Sequence, residues 1–217
     1  MRRKTYPERA GWPLETRKDQ DEPEDEEEEK EDVSAKESVV LLDLLKDTRT
    51  IIISENILPK LTQRVIAQLL WLDAKGDAPI RIYLNTPGGS ADDGFALFDM
   101  IRFVKSPVYT ICVGLSASAG VLTLLGAPRE RRLALPNARI MMHQPSGGGR
   151  GRASDIEITA DEILKLRQKA NEIIAAETGK PAEQIDKDTD RDYWLSAEEA
   201  KKYGLVSRII RSLRDLP

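Results

Sequence analysis

The chain is predicted to fold as an α/β protein on a mostly parallel sheet, and three observations carry the prediction. From residue 49 onward, short apolar runs rich in Ile, Val and Tyr alternate with amphipathic segments. Several of the apolar runs close in Gly or Pro turns, the punctuation expected where a strand passes into a right-handed crossover helix. Hydrophobic residues make up 40% of the 217 positions, enough to fill the core of one domain.

Each element has its own signal. "RTIIIS" reads as the first strand. "LPKLTQRVIAQLLWLDAKG" places Leu61, Val65, Leu69 and Leu72 on one helical face, with Gly76 as a stop. "IRIYLNTPGGS" is a strand closed by a Pro-Gly-Gly turn, and "DDGFALFDMIRFV" a helix capped or favoured by Asp92 or Asp93. "PVYTICVG" is the next strand and "SAGVLTLLGA" the helix behind it, joined through "GLSASAG". "RRLALPNARIMMHQP" reads as two short strands around a Pro-Asn turn. A long helix is expected from Asp155 to Thr178, ended by Gly179, then a helix "SAEEAKKYG" and a strand "LVSRII".

Charge is distributed unevenly. The net charge is −4, but residues 1–36 hold 13 acidic and 8 basic side chains, which leaves the remainder near neutral at +1. "DQDEPEDEEEEKED", residues 19–32, has 11 acidic groups and one lysine, so residues 1–36 are expected to be a disordered tail or propeptide ahead of a domain spanning 37–217. A nearly neutral fold with an acidic tail disfavours nucleic acid as a partner. The basic N-terminus has no apolar segment behind it to make a secretory signal. The 23 residues from Ser106 to Pro128 carry no charge, yet Gly114, Ser116, Ser118, Gly120 and Thr123 interrupt them, so they read as a buried strand and helix rather than a membrane span. The one cysteine, Cys112, sits in an apolar run and forms no disulfide or metal-ligand pattern, which favours a reducing cytoplasmic compartment.

The chemistry concentrates in "GLSASAG", residues 114–120. Small residues around a serine suit a sharp strand-to-helix turn that lifts the hydroxyl clear of its backbone, and the S-A-S-A-G reading centres that turn on Ser118, while spacing alone leaves Ser116 open. "NTPGGS" follows the neighbouring strand, so its backbone N–H groups can be aimed at the same point as an oxyanion hole. A serine needs a base, and the chain has one histidine, His143, at the end of "RIMMH". For an orienting carboxylate, Asp186, Asp188, Asp190 and Asp192 all remain open.

The blocks "YLNTPGGS", "GLSASAG", "LPNARIMMHQPSGG", "ASDIEI", "ILKLRQKANEIIAAETGK" and "DTDRDYWLSAEEAKKYGLV" together resemble the caseinolytic protease family, ClpP, in that family's order and over residues 41–210. The resemblance implies a crotonase-like fold and a serine endopeptidase with Ser118 as nucleophile, His143 as base and Asp192 as third member. It also implies Gly89 and Ala119 as oxyanion N–H donors. Ser116 stands where the family usually has alanine. Two stacked heptameric rings are implied, with active sites facing an inner chamber, and an AAA+ unfoldase that feeds in unfolded polypeptide. ATP then belongs to the unfoldase, with no metal and no cofactor in this chain, and a paralogous subunit is a further possible ring partner. Residues 144–178 correspond to the family's handle, a Gly-rich strand and long helix between rings, with Asp155 and Arg191 at positions where charges pair across the equator. Two other functions share parts of this pattern: a crotonase-type acyl-CoA enzyme, and a non-catalytic ring subunit. The N-terminal region departs from the family, with "ESVVLLDLLKDTRT" in place of the usual pore-lining segment and "ISENI" where a glycine is usual.

Overall fold

The computed structural model describes residues 39–216; the expected acidic tail, residues 1–36, lies outside them. Residues 39–48 are helical (α1). The chain then runs β1 (Thr50–Ile53), α2 (Pro59–Ala74), β2 (Ile80–Thr86), α3 (Ala91–Phe103), β3 (Val108–Ala117), α4 (Ala119–Leu125), β4 (Arg132–Ala134) and β5 (Arg139–Met142). It closes with α5 (Ala153–Thr178), α6 (Ala182–Asp188), β6 (Tyr193–Ser196), α7 (Ala197–Tyr203) and β7 (Arg208–Ile209).

The strands make one sheet in the order β1-β2-β3-β4-β7, all parallel. Its centre is β3, ten residues long. β2 flanks it on one side; on the other, β4 pairs with Thr110–Cys112 and β5 with Leu115–Ala117. β6 then adds antiparallel to β5. One continuous core, including Ile51, Leu69, Ile82 and Leu124, fills the space between the sheet and its helices.

Local sequence explains the helices. α2 starts at Pro59, whose fixed φ suits a first turn, and buries the expected Leu61, Val65, Leu69 and Leu72, each contributing roughly 1.5–3 kcal/mol. The cap of α3 is Ser90, two residues before Asp92: in extended backbone, it accepts from Asp93 N–H at 3.3 Å. Asp92 and Asp93 already lie inside the first turn and complement the helix dipole there. α5 begins at Ala153, two residues before the expected Asp155, whose carboxylate instead accepts from the Arg152 N–H at 3.3 Å; the helix ends at Gly179 with φ 74. Its 26 residues span about 39 Å, and only Asn171, Ile174 and Thr178 are buried, so the C-terminal part is anchored and the rest projects.

Three differences from expectation concern short elements. α6 and β6 lack a readable pattern, because seven residues with one buried position, Ile185, and four residues "YWLS" show no period. "LVSRII" contributes only Arg208–Ile209 to the sheet; Leu205 and Val206 are buried off the ladder. The Gly-rich arm, residues 144–152, makes no strand and joins none of the sheet's ladders. The uncharged run from Ser106 to Pro128 divides into β3 and α4, and no helix among the described residues is long and apolar enough to cross a membrane.

Candidate active site

Three neighbouring strand ends build the site. β3 stops at Ala117 and the chain turns at Ser118, whose φ of 55° and ψ of −120° are rare for an L-residue, before entering α4. Such a conformation stores on the order of 1–3 kcal/mol and holds the hydroxyl away from its own backbone. The parallel pairing of β5 with β3 sets Met141 opposite Ala117, and Ser118 N–H donates to Met141 O at 2.9 Å. His143 therefore emerges beside the elbow. Because β6 is antiparallel to β5, with Tyr193 opposite Met142, the start of β6 lies at the same edge and delivers Asp192.

The side chains meet in a relay. His143 Nε2 lies 2.9 Å from Ser118 Oγ and Nδ1 lies 3.0 Å from Asp192 Oδ1. An ionised carboxylate only accepts, so the Nδ1 proton points to Asp192 and the Nε2 lone pair is free for the serine proton. The other three aspartates are committed elsewhere: Asp186 to Arg167 and Asn171, Asp188 to the Tyr203 hydroxyl, and Asp190 to Gln144.

Ser116 takes no part. It is fully buried on β3 and its hydroxyl has no hydrogen-bond partner among the described residues. The first glycine of the block, Gly114, serves the strand rather than the elbow. Between Leu84↔Cys112 and Thr86↔Ser116 the pairing of β2 and β3 slips by two residues, and Asn85 Oδ1 fills the bulge, accepting from Leu115 N–H at 3.1 Å. A Cβ at position 114 would stand 2.4 Å from that oxygen.

The Pro-Gly-Gly turn presses directly on the elbow. A Cβ on Gly88, where φ is 96°, would lie 2.5 Å from Ala117 O and 2.7 Å from Ser118 Cβ. The turn is braced by the segment before α2, where Ile57 N–H donates to Gly88 O at 2.8 Å and Ser90 N–H to Ile57 O at 2.9 Å. This bracing by "SENIL" was not legible in the sequence, because it is an isolated bridge between residues 32 apart. Among the described residues the Gly89 N–H makes no hydrogen bond, and Ala119, the first residue of α4, has no intrahelical acceptor. Both residues line the cleft that contains Ser118 and His143, about 220 Å³ in volume. Its lining combines apolar side chains, among them Val121, Leu122, Met142, Ile163 and Leu166, with polar ones that include Ser90, Asp92 and Ser146.

Cys112 is buried on β3 and burial pushes its thiol up to about 12, so it is no competing nucleophile. Asp155 and Arg191 do not meet within the chain: Asp155 caps α5, while Arg191 is exposed and makes no ion pair among the described residues.

Comparison with known proteins matches the chain to a family. A model of the Clp protease family matches residues 33–213. The ATP-dependent Clp protease proteolytic subunit 3 of Rhizobium johnstonii is 56% identical over 169 residues, covering 78% of this chain and 87% of the relative. Proteolytic subunit 2 of Treponema denticola is 47% identical over 178 residues, covering 82% and 89%. A solved mutant of ClpP1 from Listeria monocytogenes superposes with a TM-score of 0.76 at 43% identity, covering 82% of this chain and 99% of that one.

Proposed function

The chain belongs to the Clp protease family of peptide-bond hydrolases, proteolytic subunits that assemble and work with Clp ATPases, and on that premise we propose a serine endopeptidase mechanism for it. The observation that carries the reading is the relay of Ser118, His143 and Asp192 at 2.9 and 3.0 Å across three strand ends. A crotonase-type acyl-CoA enzyme would use the backbone donors but has no need of that relay.

In this mechanism His143 Nε2 takes the proton of Ser118 as Oγ bonds to the scissile carbonyl carbon. Charge grows on the carbonyl oxygen, which accepts from the Gly89 and Ala119 N–H groups; a donor of this kind is worth about 3–4 kcal/mol. Asp192 stabilises the imidazolium and keeps its tautomer. The C–N bond then breaks as His143 passes its proton to the departing amine, leaving an acyl-Ser118 ester. Water, deprotonated by the same imidazole, attacks the ester, and the proton returns to Oγ as the carboxylic acid product leaves. The apolar part of the lining, with Val121, Leu122, Met142, Ile163 and Leu166, suits an apolar side chain next to the scissile bond.

The same proposal takes the working form as two stacked heptameric rings in the cytoplasm, fed with unfolded polypeptide by an AAA+ unfoldase that binds the ATP. The projecting α5 and the ladder-free arm at residues 144–152 support it, because the arm's backbone is in no ladder of this chain and is open to pairing with another copy. Handle pairing between Asp155 and Arg191 belongs to this reading.

The test is the response of the purified protein to a fluorophosphonate together with cleavage of a short fluorogenic peptide. Ser118 is expected to be labelled, and Ser118→Ala to lose about 10⁶-fold in kcat while still assembling. An unlabelled Ser118 with thioester turnover instead of peptide cleavage would overturn the assignment.

A further inference from the structure

We propose that Thr86 is a positioning residue for the oxyanion hole, its hydroxyl locking the Gly88–Gly89 turn at the distance from the Ser118 elbow that the reaction needs. The inference rests on the reading of Gly89 and Ala119 as the donors.

Thr86 is the last residue of β2 and is fully buried. Its hydroxyl donates to Glu55 O at 2.7 Å and accepts from Gly88 N–H at 3.1 Å, so one oxygen ties the bracing segment to the turn. Its methyl faces the other side of the site: a Cβ on Gly120, two residues after Ser118, would lie 2.7 Å from Thr86 Cγ2. Thr86 also pairs with Ser116, directly below the elbow. One side chain thus touches both elements that carry a proposed donor.

The turn needs such a lock because of its own sequence. Pro87 has no N–H to tie down, and Gly88 and Gly89 have no side chains to restrict rotation. The peptide between Gly88 and Gly89 carries the donor N–H. Its carbonyl end is held by Ile57 N–H at 2.8 Å. The preceding peptide is held through the Gly88 N–H by the Thr86 hydroxyl, its one partner among the described residues. With that bond gone, Gly88 is held on one side only, and the Gly89 N–H can rotate away from the developing oxyanion. Substrate binding, which depends on the cleft, is left in place, so the loss falls on the transition state.

Thr86→Val keeps the shape and removes the hydroxyl, whereas Thr86→Ser keeps the hydroxyl and removes the methyl. Two quantities are measured per assembled subunit: the rate of Ser118 phosphonylation by a fluorophosphonate, and kcat and KM on a short fluorogenic peptide. Thr86→Val is expected to lower phosphonylation and kcat by about 10- to 100-fold with KM within about threefold, because a displaced donor costs part of the 10²–10³ of a deleted one. Thr86→Ser is expected to restore most of that loss. Full reactivity in Thr86→Val would overturn the proposal, as would a loss in Thr86→Ser equal to that in Thr86→Val, which would assign the effect to volume. If Thr86→Val fails to assemble, Thr86→Ala takes its place, and failure of both while Thr86→Ser assembles would assign the hydroxyl to folding and refute the positioning role. Absence of phosphonylation in the unsubstituted protein is a separate outcome: it removes Ser118 as nucleophile and takes this inference with it.

Discussion

Replacing Ser116 by alanine should stabilise the protein and leave peptide cleavage untouched, although this serine sits two residues from the proposed nucleophile. Its hydroxyl is fully buried without a partner among the described residues. The polar group nearest in register, the Thr86 hydroxyl, is already committed to Glu55 O and Gly88 N–H. Burying a hydroxyl without a hydrogen bond costs roughly 1–3 kcal/mol by protein mutational standards. Deleting one oxygen opens a gap smaller than a methyl group, which offsets under about 1 kcal/mol of that. The net expectation is a gain of about 1 kcal/mol, or about 2–4 °C in Tm for a domain of this size. Urea and thermal unfolding must be compared at one protomer concentration, since assembly adds a concentration-dependent term. The urea midpoint should rise with its slope unchanged, and kcat/KM on a short peptide should stay within about twofold. A fall in Tm of more than about 2 °C would mean that the hydroxyl has a partner in the native protein. A large loss of activity in Ser116→Ala with normal activity in Ser118→Ala would reverse the assignment of the elbow.

Two further outcomes are expected. Arg132 is fully buried; its Nε donates to Ala127 O at 2.7 Å and its guanidinium pairs with Glu177, which Arg102 shares. Arg132→Met should destabilise by about 3 kcal/mol, the low end for a broken buried pair because Arg102 still compensates Glu177, and a loss below about 1 kcal/mol by urea unfolding would contradict that accounting. On the proposed double-ring form, Arg191→Ala should shift sedimentation toward the smaller assembly and lower peptide cleavage, since Arg191 adjoins Asp192; an unchanged sedimentation profile would remove Arg191 from the proposed ring contact.

Much of the molecule was legible from local pattern. The α2 face at Leu61, Val65, Leu69 and Leu72 and the stop after it follow from helical spacing and a glycine, information carried within one segment. The crowding of small residues around Ser118 likewise announces a tight turn, and the structure supplies the strained φ that such a turn needs. A cap is also local, yet the sequence pointed to Asp92 or Asp93, and the backbone shows that Ser90 is the residue preceding the first turn.

Amino-acid order by itself determined the strand–helix alternation, the one available base, the elbow and the glycines of the turn, because these depend on neighbours a few residues apart. Tertiary structure decided the rest. Which of four aspartates reaches His143 depends on β6 adding antiparallel to β5, a pairing of residues about fifty apart in a four-residue strand without readable period. That Gly114 serves a bulge, that "SENIL" braces the turn and that the Gly-rich arm joins no ladder of its own chain are equally non-local. Strand pairing is chosen by packing and by which backbone groups remain unpaired elsewhere, so its outcome is a property of the assembled sheet and not of any segment within it.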